Sequence, residues 1–89
     1  MSKGKTKSGF SYTVSDDLGD DIELLEGLTR LDKGEVAVLP DVLRKILGEK
    51  QKEKLYEHLR TKDGRVPITS VSEELVEIFT AQGDKAKKS

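Results

Sequence analysis

The apolar positions of this chain fall into one short alternating run followed by a series of helical stripes. Phe10, Tyr12 and Val14 alternate with Ser11, Thr13 and Ser15, and a period of two predicts a short half-buried strand over residues 9–15. A lone strand is not stable, so a second extended segment is required. Residues 65–69 (RVPIT) are the candidate partner, with Pro67 confined to an edge because it has no N–H to donate. From residue 20 the period changes. Leu24, Leu25, Leu28 and Leu31 lie within about 120° of one another on a helical wheel, with Ile22 at the margin of the stripe. Asp16, Asp17, Asp20 and Asp21 supply caps and favourable charge at the positive end of this helix over residues 20–32, and Lys33-Gly34 stops it. Gly27 marks a weak point or a close helix approach.

Residues 35–47 (EVAVLPDVLRKIL) form the most apolar stretch. Pro40 fits the first turn of a helix, where its missing N–H goes unnoticed, so the second helix starts near Leu39. Val36, Leu39, Val42, Leu43, Ile46 and Leu47 share one broad face, which predicts the most buried element, and Gly48 ends it. Residues 49–61 read as a third helix with a narrow seam of Leu55, Tyr56 and Leu59 and a wide charged face. Lys62-Asp63-Gly64-Arg65 predicts a tight turn with Gly64 at positive φ. Ser70 and Glu73 have the spacing of a capping box. They open a last helix whose stripe is Val71, Leu75, Ile78 and Phe79, with Val76 off it, and Gly83 stops that helix. The expected fold is mostly α: a small bundle of about four helices over residues 10–82, with a minor two-stranded β element. Residues 1–9 are expected as a disordered basic segment and residues 83–89 as a disordered tail.

Composition narrows the function classes. The chain has 89 residues, 37% charged and 34% hydrophobic, so its core must be thin and its stability small or partner-dependent. It has no cysteine, which excludes a disulfide scaffold, a thiolate metal site and a cysteine nucleophile. No apolar run approaches the roughly 20 residues of a membrane span, and the lysine-rich start lacks the apolar stretch of a signal peptide. A cytoplasmic protein is expected. The net charge of −1 hides an uneven layout: Lys3, Lys5 and Lys7 at the start, then Asp16, Asp17, Asp20, Asp21, Glu23 and Glu26 with no cation among them. Such runs are solvated faces, or an acidic surface that seeks a basic partner region, including another copy of this chain.

The candidate chemistries fail on spacing. Counted from Asp16, a calcium loop of the EF-hand type requires glycine at the sixth position, where Asp21 stands. His58 is the sole histidine, there is no nucleophile elbow, and no GxxxxGK[ST] loop to cradle phosphate. No catalytic residue, metal or cofactor is expected. A helix-turn-helix reading meets Glu49, Glu53 and Glu57 interleaved with Lys50, Lys52 and Lys54, and such acids repel DNA phosphates.

The order of segments carries a resemblance. An acidic start, ELLEGL at residues 23–28, ILG at 46–48, LYEHLR at 55–60, DGRVP at 63–67 and ELVEIF at 74–79 together resemble the small tail assembly chaperones of long-tailed phages and prophages of Gram-positive bacteria. The likeness covers about residues 20–79. It implies a non-enzymatic cytoplasmic protein that binds the tape measure protein, keeps its apolar helices soluble and hands it to tail tube subunits, without remaining in the virion. In many such phages a ribosomal frameshift near the end of the gene adds a second domain, and Lys87-Lys88 can be encoded by a slippery run of adenines. On this reading Ile22, Val76, Leu75 and Phe79 line a groove for a partner helix, and Glu23 and Glu26 form an acidic rim that favours a lysine-rich partner. No nucleic acid and no membrane are expected as partners. A small regulatory or DNA-associated prophage protein and a structural head–tail component are the alternatives.

Overall fold

The computed structural model describes the backbone of residues 1–88 and the side chains of residues 1–81. The chain is mostly helical, with three helices and a two-stranded antiparallel sheet. Strands β1 (Ser2–Lys5) and β2 (Ser11–Val14) are followed by helix α1 (Ile22–Asp32), a 3₁₀ turn at Val36–Val38, and helices α2 (Leu39–Leu59) and α3 (Ile68–Lys88). α2 takes in both the second and third helices expected from the sequence and breaks between them at Gly48. This residue has φ 80° and ψ 164°, a region essentially reserved for glycine.

The alternation over residues 10–15 predicts its strand correctly: Phe10, Tyr12 and Val14 are buried and Ser11 is exposed. Its partner is not the expected one. Residues 1–9, expected to be disordered, contain β1, which pairs Lys3 with Thr13 and Gly4 with Tyr12. Residues 65–69 instead form the approach to α3 and its first turn. The hairpin closes through Gly9 N–H donating to the Thr6 carbonyl at 2.9 Å, with Gly9 at φ 97°. β1 contains no large apolar residue, so periodicity could not reveal it. A Cβ at Gly4 would overlap the Tyr12 phenol, showing that the ring lies across the glycine of the opposing strand.

The outer edge of β2 is closed by a side chain. Thr13 N–H donates to Gln51 Oε1 at 2.7 Å and Gln51 Nε2 donates to the Thr13 carbonyl at 2.7 Å, so the amide stands in for a third strand. The same Nε2 lies 2.7 Å from the Leu47 carbonyl, beside the break in α2.

The start and end of α1 follow its sequence. Asp21 caps it by accepting from Glu23 N–H at 3.0 Å and Leu24 N–H at 3.2 Å. At its end, Gly34 N–H donates to Leu31 O and Glu35 N–H to Arg30 O, the two bonds of a Schellman motif. Gly27 marks a close approach: a Cβ there would sit 2.7 Å from Val42 Cγ2 of α2. Leu24 is in the core and Leu28 and Leu31 pack against it, but Leu25, expected in the same stripe, is exposed. α1 packs against α2 and the 3₁₀ turn, too few neighbours to cover the whole stripe. Val36 is likewise exposed, because it lies in the 3₁₀ turn rather than on the α2 face.

The expected capping box does not open α3. The helix starts at Ile68, with Val71 N–H donating to the Pro67 carbonyl at 3.2 Å, so Ser70 lies inside the first turn. The backbone also stays helical past Gly83, the expected stop, as far as Lys88. Residue 89 of the expected tail, and the side chains from residue 82, lie outside the described residues. The Lys62–Arg65 turn forms as predicted, with Gly64 at φ 89°.

An ion-pair chain spans the break in α2. Arg44 donates to Glu49 Oε2 at 2.7 Å and to Asp41 Oδ1 at 2.9 Å. The buried Lys52 reaches Glu49 at 3.2 Å, with its ammonium 5.6 Å from the Tyr56 ring centroid. Hydrogen bonds from Arg44, then from Lys52, hold the Glu49 carboxyl below the ordinary carboxylate range. The Leu24 N–H does the same for Asp21, against an opposing effect of burial, and Lys45 and the Glu23 N–H add smaller contributions. Carboxyls depressed in the folded state add stability above their unfolded pKa, and the contribution disappears as pH falls through the folded value. The urea midpoint should therefore hold between about pH 6 and 8 and decline below about pH 4, less steeply in an Asp21→Ala, Glu49→Ala double variant. A wild-type slope equal to that of the double variant would exclude these two carboxyls as its source.

Candidate functional site

The residues nominated from the sequence do not meet in one groove. Leu75 is only 2% exposed and belongs to the core. Phe79 is half-buried and packs against that core. Ile22 and Val76 are exposed, as a contact residue should be, but sit on different helices, α1 and α3. Val76 borders a shallow depression with Lys7, Ser72 and Glu77, on the α3 side of the hairpin turn. Glu23 and Glu26 line a separate cleft of about 230 Å³ between α1 and α2, shared with Arg30, Asp41 and Lys45. Lys45 Nζ lies 3.2 Å from both Asp21 and Glu23, so part of the acidic rim is neutralised within the chain.

A different surface has the chemistry of a recognition groove. Leu39 and Pro40 at the start of α2, Tyr56 in its second half, and Val66, Ile68 and Val71 around the start of α3 enclose about 450 Å³. Val36 and Ala37 of the 3₁₀ turn complete the wall, and among the described residues Arg60 is the only charged one lining the groove. Arg60 is fixed there by Glu57 at 2.8 Å and by the Gly64 carbonyl at 2.9 Å. Val36 and Ile68 are exposed, so apolar surface is open to water at two points of the groove. Periodicity missed this site because much of its wall comes from element junctions, EVAVLP and RVPI, where the chain changes direction and a single helical stripe does not say what lies opposite. The available signal was that both junctions carry apolar residues around a proline, where a solvated loop would be polar.

The hairpin turn carries a polar cluster. Ser8 Oγ donates to Glu74 Oε2 at 3.1 Å, and Lys7 N–H donates to Glu77 Oε2 at 2.7 Å. His58 Nε2 lies 3.1 Å from the Ser8 carbonyl oxygen, which can only accept, so that nitrogen carries a hydrogen. The His58 ring also packs on Phe10, with centroids 5.8 Å apart. Ser8 Oγ also lies 3.1 Å from His58 Nε2, so the three side chains are joined through the serine, an order unlike that of a catalytic triad. They fasten the hairpin to α2 and α3. Among the described residues no group of three or more His, Cys, Asp or Glu could hold a metal ion, and no helix is long and apolar enough to cross a membrane.

No protein-family model matches this chain, and no curated protein or solved structure is significantly similar to it.

Proposed function

We propose that this chain is a tail assembly chaperone that binds apolar helical segments of a tape measure protein and keeps them soluble until tail tube subunits take over. The apolar groove around Leu39, Tyr56 and Ile68 carries this reading. It is large enough for two or three side chains of an amphipathic helix and offers little to a polar ligand. The segment order from ELLEGL to ELVEIF supports the same family.

Gene order is the first test. An upstream tail tube gene and a downstream gene for a very long helical protein support the proposal, and neighbouring repressors, integrases or metabolic genes remove it. The direct test is binding to helical fragments of that long protein, by calorimetry. A Val36→Ser, Ile68→Ser double variant should bind about tenfold more weakly or worse, with an unchanged circular dichroism spectrum because both side chains are exposed. Undiminished affinity would move the site elsewhere.

One observation favours a DNA-associated role as the second reading. The hairpin and α2 bring Lys3, Lys5 and Lys54 around a hollow of about 580 Å³ with Ser11, Thr13 and Gln51 and no carboxylate in its lining. Binding to duplex DNA that survives physiological salt, together with indifference to helical fragments, would favour that role over the chaperone.

A further inference from the structure

α1 turns outward apolar residues that its own fold leaves uncovered. Ile22 and Leu25 are 69% and 57% exposed and lie three residues apart, on one face of the helix. Because Leu24, Leu28 and Leu31 already face the core, α1 is apolar on two sides and covered on one. Acids border the uncovered side, with Arg30 and Lys45 confined to the cleft that Glu26 shares with α2. Glu26 adjoins Leu25 and is one turn from Ile22, and it has no ion-pair partner among the described residues. Asp17 and Asp20 are exposed in the turn that leads into the helix, and no basic residue occurs from Asp16 to Thr29.

We propose that this face of α1 docks a lysine- or arginine-bearing amphipathic helix of another protein. Charge selects the occupant. A second copy related by a parallel two-fold would set Asp20 and Glu26 against the same acids. An antiparallel two-fold centred between Ile22 and Leu25 would keep the apolar contact but set Glu26 against Asp21 of the second copy. A foreign cationic helix suffers neither defect: its apolar stripe covers Ile22 and Leu25 while its cations flank Glu26 and Asp20. The inference extends the helix-binding reading above by naming the partner's charge and a second contact surface. It rests on that reading only in taking the partner as helical.

The test uses the full-length ¹⁵N-labelled chain and two synthetic amphipathic helices. Both share one leucine stripe, and one carries lysine and the other glutamate at every polar position. The lysine peptide should shift amide signals of α1 around Ile22–Glu26, bind at least about tenfold more tightly than the glutamate peptide, and weaken as salt rises. An Ile22→Ser, Leu25→Ser double variant, altered only at exposed positions, should lose about tenfold in affinity for the lysine peptide, and Glu26→Lys should lose a comparable amount. Equal affinity for the two peptides overturns the proposal, as does a double variant that binds like the wild type, which is charge attraction without docking. Shifts confined to the surroundings of Tyr56 and Ile68 overturn it too, while leaving the apolar groove as the binding site. Silence at both surfaces removes both readings.

Discussion

Replacing Gln51 by alanine should lower the unfolding free energy by about 2–4 kcal/mol, a large share of what a domain of this size has available. The side chain makes three hydrogen bonds of 2.7 Å, two to Thr13 and one to Leu47, and all three groups are part-buried. Alanine removes the partner without letting water in freely, leaving up to one donor and two acceptors short of a bond. Each unsatisfied group costs about 1–3 kcal/mol, reduced here by partial exposure. Gln51→Glu separates hydrogen bonding from packing. A carboxylate of nearly the same shape still accepts from Thr13 N–H but has no hydrogen to donate to either carbonyl. It should therefore fall well short of restoring stability. Urea unfolding with an unchanged slope gives the magnitude, and hydrogen exchange at Thr13 gives the location. A Gln51→Ala variant with wild-type midpoint would show that the amide bonds are replaced by water at no cost.

Local rules explain which parts of this fold were legible in the sequence. Asp21 as a cap, Lys33-Gly34 as a stop, Pro40 in a first turn and Gly64 at positive φ all depend on a few neighbouring residues, and all form as predicted. The failure at Leu25 depends on what lies opposite, and the failure at Ser70 on a helix start just upstream of it. Leu25 fits a leucine stripe as well as Leu28 does, but α1 has neighbours on one side only, and one of the four leucines is left in water. The capping-box spacing of Ser70 and Glu73 is real, but Pro67 and Ile68 start the helix earlier, with the Pro67 carbonyl accepting its first bond.

The same contrast holds for the binding surfaces. A residue off its own helical stripe is a sound candidate for exposure, and Ile22 and Val76 are exposed. Stripe position does not say which exposed residues are neighbours, so a groove joining Ile22 to Val76 could be imagined from the sequence and does not form. The apolar groove lies where the 3₁₀ turn, both halves of α2 and the start of α3 converge, and the break at Gly48 sets how the two halves of α2 are disposed. That geometry depends on one residue's backbone angles, to which hydrophobic periodicity is blind.

Replacing Gly4 by valine is the second large effect, expected to cost about 3 kcal/mol and to detach β1. Tyr12 is buried, and its phenol occupies the space that a side chain at position 4 would need. The valine must push the ring aside, and a displaced Tyr12 uncovers the core around Phe10 and Val14, which the same strand contributes. The flexible alternative is for β1 to leave, since its own residues SKGK bury no large side chain. Then the Ser8 and Lys7 contacts with Glu74 and Glu77 should weaken, because the turn that presents them is tied to both strands. Loss of the cross-strand Gly4–Tyr12 contact in nuclear Overhauser spectra, with the α1 and α2 signals retained, is the expected result. A variant that keeps that contact and its stability would mean that the ring across Gly4 contributes little, and that the turn alone holds residues 1–9 in place.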